Sequence, residues 1–585
     1  MKKTFQKKFH PKQISAHGPM PAKQQVTQVP ITDSLRIIPL GGQEEVGRNM
    51  TVFEYGTDIL LLDMGVQFPE EDMLGIDYII PNIEYLRGKE RNIRAVIFSH
   101  GHLDHIGAAP ILLEKLGNPL IIGRPLTLAL IKNRQEDSKK GTAKRLKTIT
   151  IKNVNERFKF GKFSVSFFPV DHSIMDAVGV VISTPHGTVI HPGDWTFEKD
   201  PVGRRNVEYS HLARLPRPTI LMLESLGSTS VHERVPERTM YRNLEHIINA
   251  APGRVIIGTF SSQIERIKHV LEYAQSIGKK VALDGYSMKL NVETAKKLGY
   301  IKMKKDALIG IERIRDYPDR QLIVICTGAQ GESNAVLSRI INGNHRFVHI
   351  TKSDTIIFSS SVIPGNERTI QRLKDNMYRL SDNVIHSDIM DIHSSGHSTA
   401  DDMVAVLKQI RPDYFLPVYA NHYFLKEAEK LAVKEGFAKQ NIFVLDNGSI
   451  LEFVKGSPRL QPMKVPTDYV FVDGLGIGDI SHVVLRDRQT LAGDGMVVII
   501  VTVDRKTGDI VGDPDIISRG FVHMKTSKKL IDDTKKKVKL LLKDADPRSQ
   551  ANDNYIGNKV RDAVGQFLFS KTNRRPMILP VVIDV

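Results

Sequence analysis

Between Ser99 and His105 the chain reads Ser-His-Gly-His-Leu-Asp-His, directly after the apolar run Ala95-Val96-Ile97-Phe98. Three imidazoles and a carboxylate this close together cannot be a core element, because each would cost roughly a few kcal/mol if buried without a partner. Neutral imidazole is the commonest metal ligand, and imidazole with carboxylate suits zinc or manganese. His100 and His102 lie two apart in an extended segment, so their side chains point the same way. Asp104 and His105 open a helix expected over 106–116 and turn toward a second ion. One short segment thereby supplies two neighbouring metals.

Three later apolar runs end in single candidates. Val165–Val170 leads to Asp171-His172, Val189-Ile190 to His191-Pro192-Gly193-Asp194, and Thr219–Leu223 to Glu224. Polar residues at successive strand ends converge on one edge of a sheet, where α/β folds keep their sites. Either His172 or Asp194 alone is more often structural, but the cluster upstream reverses that weighting. An aspartate placed to bridge two ions is what a two-metal hydrolase needs. Trp195, the sole tryptophan, is expected to pack as core beneath the site.

The 585 residues suffice for three or four domains at roughly 100–200 residues each. Residues 1–34 are basic, lack hydrophobic periodicity and read as a disordered tail. From Leu35 onward, short β-rich runs alternate with helical stretches, as when helices cover sheets. A second such series includes Val255–Ile257, Leu322–Cys326, Thr355–Phe358 and Tyr414–Val418. The stretch 454–468, with Gly456, Pro458 and Pro462, reads as a linker, and the remainder as a small α/β domain. No apolar run approaches the ~18 residues of a membrane span, and Met496–Val503 reads as a buried strand. The lone Cys326 excludes an intramolecular disulfide framework and fits a reducing compartment. The basic N-terminus has no apolar stretch behind it, so no secretory signal is expected and a cytoplasmic location is. The net charge of +16 is compatible with a polyanionic partner without proving one. The segment Lys525–Lys543 reads as a solvated helix face rather than an RNA track. Gly474–Asp479 is not a dinucleotide fingerprint, since its sixth residue is Asp479.

The segment His100-Gly101-His102-Leu103-Asp104-His105, with His172 and Asp194 behind it, resembles the HxHxDH signature and later ligands of the metallo-β-lactamase superfamily. Dispersed motifs narrow this: Gly41–Asn49, Phe68–Met73, Thr327–Glu332, Phe358–Glu367, His393–His397, Asp473–Asp479 and Ile517–Phe521. In this order they resemble the ribonuclease J family of β-CASP nucleases, over residues 35–585.

The resemblance implies an α/β architecture: a four-layer αββα metallo-β-lactamase domain in two parts, 35–225 and 371–453. A β-CASP α/β domain at 226–370 interrupts it, and after the linker at 454–468 comes a small C-terminal α/β domain at 469–585. It further implies a metal-dependent ribonuclease, a 5′-to-3′ exonuclease with endonuclease activity, acting on RNA that carries a 5′ monophosphate. Two divalent ions, zinc or manganese, and a homodimer or homotetramer belong to the same expectation. The implied ligands are His100, His102, Asp104, His105, His172 and Asp194, with Asp194 bridging and Asp104 orienting the nucleophile. Glu224 matches a supporting acidic motif. His393, Ser394, Ser395, Gly396 and His397 match the motif that returns from the insertion, where the serines hold a phosphate and His397 stabilises or protonates it. Ser262, Gln263 and Ile264 align with a segment near the bound nucleotide; from the residues alone they read nearly as well as a strand-to-helix turn capped by serine. A structural calcium between Asp77, the Gly75 carbonyl and Asp473 is also implied, against ordinary turn aspartates.

One segment departs from the family. Where Pro-Val-His-Gly-Glu is usual, this chain has Pro417-Val418-Tyr419-Ala420-Asn421-His422. Tyr419 stands at a ligand position and His422 lies three residues later. Either His422 swings in or one metal has a weaker shell. The rival readings are a hydrolase of small thioesters or lactams on the same fold, and an RNA-binding scaffold with a degraded metal site. The insertion argues against the first, since a small substrate needs no second wall.

Overall fold

The structure is a computed structural model describing residues 33–198, 207–231, 234–304, 306–331, 334–360, 366–393, 396–480, 482–504, 509–524, 526–543 and 553–585. The expected tail lies outside these residues but for its last two positions, as do Ser394 and Ser395.

Two sheets face each other. The first has eight strands, in the order Ser457–Lys464, Ser449–Val454, Leu35–Gly41, Met50–Tyr55, Asp58–Leu62, Ile93–Ile97, Ile121–Gly123 and Thr148–Thr150. The second has six: Tyr414–Val418, Thr219–Glu224, Gly187–His191, Val178–Thr184, Phe163–Pro169 and Arg157–Phe160. Alternation along each strand divides the apolar residues between two faces. Leu35, Ile37, Leu60 and Ile97 meet Val165, Val180, Val189 and Met222 between the sheets. Ile38, Val52, Leu61 and Val96 point the other way, against Leu112, Leu113 and Ile131 of the covering helices. Behind the second sheet, Ile190, Leu221 and Leu223 pack on Met403, Val406 and Ala428. These are the four layers of an αββα sandwich.

The inserted domain carries a wholly parallel sheet, ordered Leu308–Ile309, Lys280–Asp284, Leu322–Cys326, Val255–Gly258, Thr355–Phe358 and Asn383–His386. The last strand corrects a boundary. Asn383–His386 pairs in register with Thr355–Phe358 across the helix Glu367–Leu380, so the inserted sheet extends past the expected end at residue 370. A parallel pair needs such a crossover helix. The expected linker is also partly strand: Ser457–Lys464 pairs antiparallel with Ser449–Val454 at the sheet edge. An edge strand tolerates Pro458 and Pro462, which a central strand would exclude.

The C-terminal sheet is ordered Asp515–Arg519, Met496–Val503, Met577–Asp584. Met496–Val503 is the strand expected there, with buried residues alternating with half-buried ones along its length. The expected helix over 106–116 is two pieces, Leu103–Ile106 and Ala109–Lys115. Pro110 sits in the first turn of the second piece, where a missing N–H costs nothing. No helix among the described residues is long and apolar enough to cross a membrane. Trp195 is fully buried, against Phe197 and Tyr209.

Candidate metal centre

The loop after Ile93–Ile97 places three imidazoles at the open edge of the sandwich. His102 is extended, with φ −73° and ψ 154°, and immediately precedes the short helix Leu103–Ile106. Its Nδ1 lies 3.1 Å from His100 Nε2 and 3.0 Å from His172 Nε2. Asp194 Oδ2 is 3.9 Å from His100 Nε2 and 4.0 Å from His172 Nε2. On the other side, His105 Nε2 lies 3.3 Å from both Asp104 Oδ2 and Asp194 Oδ1. Two donor sets result: His100, His102, His172 and Asp194; and Asp104, His105 and Asp194. Asp194 belongs to both, one oxygen facing each. Donors at tetrahedral zinc stand about 3.4 Å apart, for bonds of about 2.1 Å, so the spacing suits divalent ions.

Supporting hydrogen bonds fix these ligands. His105 Nδ1 donates to Asp63 Oδ2 at 2.8 Å, and Asp63 also accepts from the backbone N–H and hydroxyl of Ser99, each at 2.8 Å. His172 Nδ1 donates to the Gly396 carbonyl at 2.7 Å. An oriented imidazole with its distal nitrogen engaged is the usual support of a metal ligand. His191 is a structural member of the cluster: its Nδ1 accepts from the Gly193 N–H at 2.8 Å, holding the turn that carries Asp194.

The electrostatics of the site suit cations. Burial pulls His102 down to about 4, and drives His100 and His172 well below the ordinary imidazole range. All three are therefore neutral donors at pH 7, ready to ligate. Burial opposes the charged form of His105 as well, but Asp194, Asp104 and Asp63 override it and hold the imidazole protonated.

His397 stands at the mouth, its side chain 37% exposed, with Nδ1 3.5 Å from Glu224 and 4.0 Å from Asp194 Oδ2. Burial lowers its imidazole, but Glu224, with Asp194 and Asp104 behind it, raises it to about 9. Glu224 is fully buried and accepts from the Leu226 N–H at 2.9 Å. His393 is placed by Arg266, whose Nη1 lies 3.2 Å from His393 Nδ1 and donates to the Ser359 carbonyl at 2.9 Å. The inserted domain is thereby tied to the returning loop.

Other expected residues fall into place differently. Gln263 precedes the helix Ile264–Ser276 without a side-chain capping bond, so the serine cap is not formed; the Ile264 N–H bonds the Ser262 carbonyl at 2.8 Å. Ile264 is fully buried in the core, leaving only its main chain to face a ligand. Tyr419 is buried at a left-handed φ of 60°, its ring 5.4 Å from His105 and 4.9 Å from His191. Burial, then Asp63, Asp194 and Asp104, keep its phenol protonated. His422 does not swing in. It is 54% exposed and its Nδ1 contacts Glu44 Oε1 at 3.1 Å, outside both donor sets.

Gly75, Asp77 and Asp473 come together, but with the guanidinium of Arg488 among them: Nη2 lies 2.6 Å from Asp473 Oδ2, and a Cβ on Gly75 would lie 2.6 Å from Nη1. A calcium ion does not fit beside that fixed positive charge. Sequence reasoning missed Asp63 and Asn49 as well. Asp63 follows the strand Asp58–Leu62, the same strand-end signal that flagged Glu224. Asn49 Nδ2, 3.0 Å from His105 Nε2, lay inside a quoted motif without a role assigned to it.

Residues 44–228 match the metallo-β-lactamase superfamily, 252–377 the ribonuclease J β-CASP domain and 483–585 the ribonuclease J C-terminal domain. Ribonuclease J 1 of Streptococcus pyogenes serotype M3 is 37% identical, over 94% of this chain and 97% of the relative. Ribonuclease J2 of Bacillus subtilis is 33% identical, over 95% and 99%. Ribonuclease J 2 of Staphylococcus epidermidis is 31% identical, over 94% and 98%. With three matching domains in order and relatives aligned along nearly their whole length, the chain belongs to the ribonuclease J family.

Proposed function

We propose that this chain hydrolyses RNA phosphodiester bonds at the Asp194 centre, as a 5′-to-3′ exonuclease on 5′-monophosphate RNA with endonuclease activity as well, in the cytoplasm. The observation that carries the reading is the sharing of Asp194 between two donor sets. When bound, divalent ions supply Lewis acidity and an ionisable water at neutral pH. His100, His102 and His172 hold the first ion, zinc or manganese, and Asp104 and His105 the second. Asp104, its side chain 34% exposed, faces the open side and orients the attacking water. His397, kept protonated by Glu224, donates to a phosphate oxygen or to the leaving oxygen. Ser262, Gln263, His393 and the Gly396 main chain line the path of the RNA, with Ser394 and Ser395 completing the phosphate contacts.

The second donor set is the weaker one. It has three protein ligands, and Tyr419, where the family has histidine, is a poor donor while its phenol stays protonated. Its ion is accordingly exchangeable. The test is metal content together with cleavage of end-labelled RNA in the wild type and in Asp104→Ala. Stepwise 5′-end products from protein holding one tight and one dialysable ion support the reading; a metal-loaded protein that binds RNA but leaves it intact points to the scaffold.

Assembly belongs to the C-terminal sheet. Its inner face packs Val497, Ile499 and Val501 on Val538, Val560 and Val564. Its outer face presents Ile517, Leu579, Val581 and Ile583, each 38–45% exposed; Ile517 and Leu579 are in register with Val498, Val581 with Ile500 and Ile583 with Thr502. A contiguous apolar face of this kind suits a second copy of the chain, in a homodimer or homotetramer.

A further inference from the structure

We propose that Arg488 takes the place of a divalent cation at the joint between the catalytic and C-terminal domains, so that the two dock without calcium. This goes beyond the ribonuclease reading and does not depend on it. The joint is a three-stranded sheet in which Tyr78–Ile80 pairs with Val470–Asp473, itself paired with Gly476–Ile477. Asp77 and Asp473 meet at its end. Asp77 Oδ2 accepts from the Gly474 N–H at 2.8 Å, and the Asp77 N–H donates to the Val472 carbonyl at 2.9 Å.

Into this acidic corner the helix His482–Asp494 projects Arg488. Nη2 pairs with Asp473 Oδ2 at 2.6 Å, and Nη1 donates to the Leu74 carbonyl at 3.0 Å. Gly75, at φ +76°, leaves room for the guanidinium, since a Cβ there would stand 2.6 Å from Nη1. Gln489, on the same helix, donates to the Asp72 carbonyl at 2.8 Å, while Leu485 packs with Ile76, Ile79 and Phe471. A carboxylate and a backbone carbonyl, held by positive charge on a turn that needs glycine, are groups that a calcium ion would also use. Calcium, however, requires six to eight oxygen ligands at about 2.3–2.6 Å, and guanidinium offers only donors. Two cations at one carboxylate repel, so occupancy is exclusive. Unlike an exchangeable ion, Arg488 is charged at every working pH and cannot be removed by chelation.

The joint also reaches toward the metal loop. Gln67 exchanges 2.9 Å backbone bonds with Ile79, and the neighbouring Val66 N–H donates to the Leu103 carbonyl at 3.0 Å. Arg488 is thus a positioning residue for the loop between the two domains.

The test uses the full chain and 45Ca equilibrium dialysis, with Asp473→Asn separating this joint from any calcium held at the catalytic centre. The wild type should bind no calcium that Asp473→Asn removes, and any shift of its thermal midpoint by millimolar calcium chloride should be the same in Asp473→Asn. Arg488→Ser should melt several degrees lower without calcium, gain about one bound ion per chain and recover part of the loss when calcium is added. That gain should vanish in Arg488→Ser with Asp473→Asn. Calcium binding in the wild type that depends on Asp473 would overturn the proposal, as would an Arg488→Ser protein indifferent to calcium. Should Arg488→Ser fail to fold, the comparison of the wild type with Asp473→Asn decides alone.

Discussion

His172 donates through Nδ1 to the carbonyl oxygen of Gly396 at 2.7 Å, joining a metal-donor imidazole to the loop that returns from the inserted domain. A metal ligand and the substrate-facing motif are therefore one mechanical unit, although 224 positions separate them. A Cβ at Gly396 would lie 2.5 Å from Ser173 Oγ and 3.0 Å from His172 Cε1. Gly396→Ala should rotate the imidazole and weaken the first ion about 10- to 100-fold, the usual cost of disturbing a ligand's support. Competition with a chelator of known affinity measures it, and unchanged retention of the first ion would refute the coupling.

Tyr419→His should restore an imidazole donor to the second set. Retention of a second ion through repeated dialysis should rise, and the manganese needed for full cleavage should fall. Tyr419→Phe should leave both nearly as they are. A loss of second-site metal in Tyr419→Phe would instead make the phenol a ligand. His422→Ala should leave the metal held by the two donor sets around Asp194 unchanged, since that imidazole faces Glu44.

Glu237, at the start of the helix Glu237–Ala250, titrates within the working range. Burial, then Glu265 and Glu198, push its carboxyl up to about 7, against Arg234 and Arg266. Between its ordinary value of 4.5 and 7 the folded chain holds a proton that the unfolded chain has released. Stability should therefore fall as pH rises through that window. Glu237→Gln should raise the free energy of unfolding at pH 8, by at most on the order of 3 kcal/mol, and change little at pH 4. An advantage that persists at pH 4 would assign the effect to packing.

The outer face of the C-terminal sheet gives a prediction in mass. Ile517→Lys with Val581→Lys places charge in the middle of the apolar row and should lower the particle mass seen by light scattering, leaving far-UV circular dichroism unchanged. An unaltered oligomer would move the interface elsewhere on the chain.

The first donor set was legible because its members are local or announced by strand ends: His100 and His102 share one extended segment, and His172 and Asp194 follow apolar runs. The supporting residues were not, because their partners are remote. Asp63 stands at a strand end, but its role rests on tertiary contact with Ser99 and His105, which a strand end alone does not announce. The edge strand Ser457–Lys464 read as linker because prolines usually punctuate, yet at a sheet edge they are permitted. Asn383–His386 is four residues long with no continuous apolar run, so only its pairing with Thr355–Phe358 reveals the inserted domain's last strand. Arg488 was invisible for a similar reason: an arginine on a helix has no signature until the turn it enters is known.

Asp104 tests the central claim most directly, because it belongs to the second donor set alone. The measurement is cleavage of 5′-labelled, 5′-monophosphorylated RNA by Asp104→Ala, alongside its unfolding midpoint and its RNA binding. The two-ion account predicts a folded protein that binds RNA and keeps the ion of His100, His102 and His172, with turnover lower by on the order of a thousandfold. Near-normal turnover by folded Asp104→Ala would contradict it.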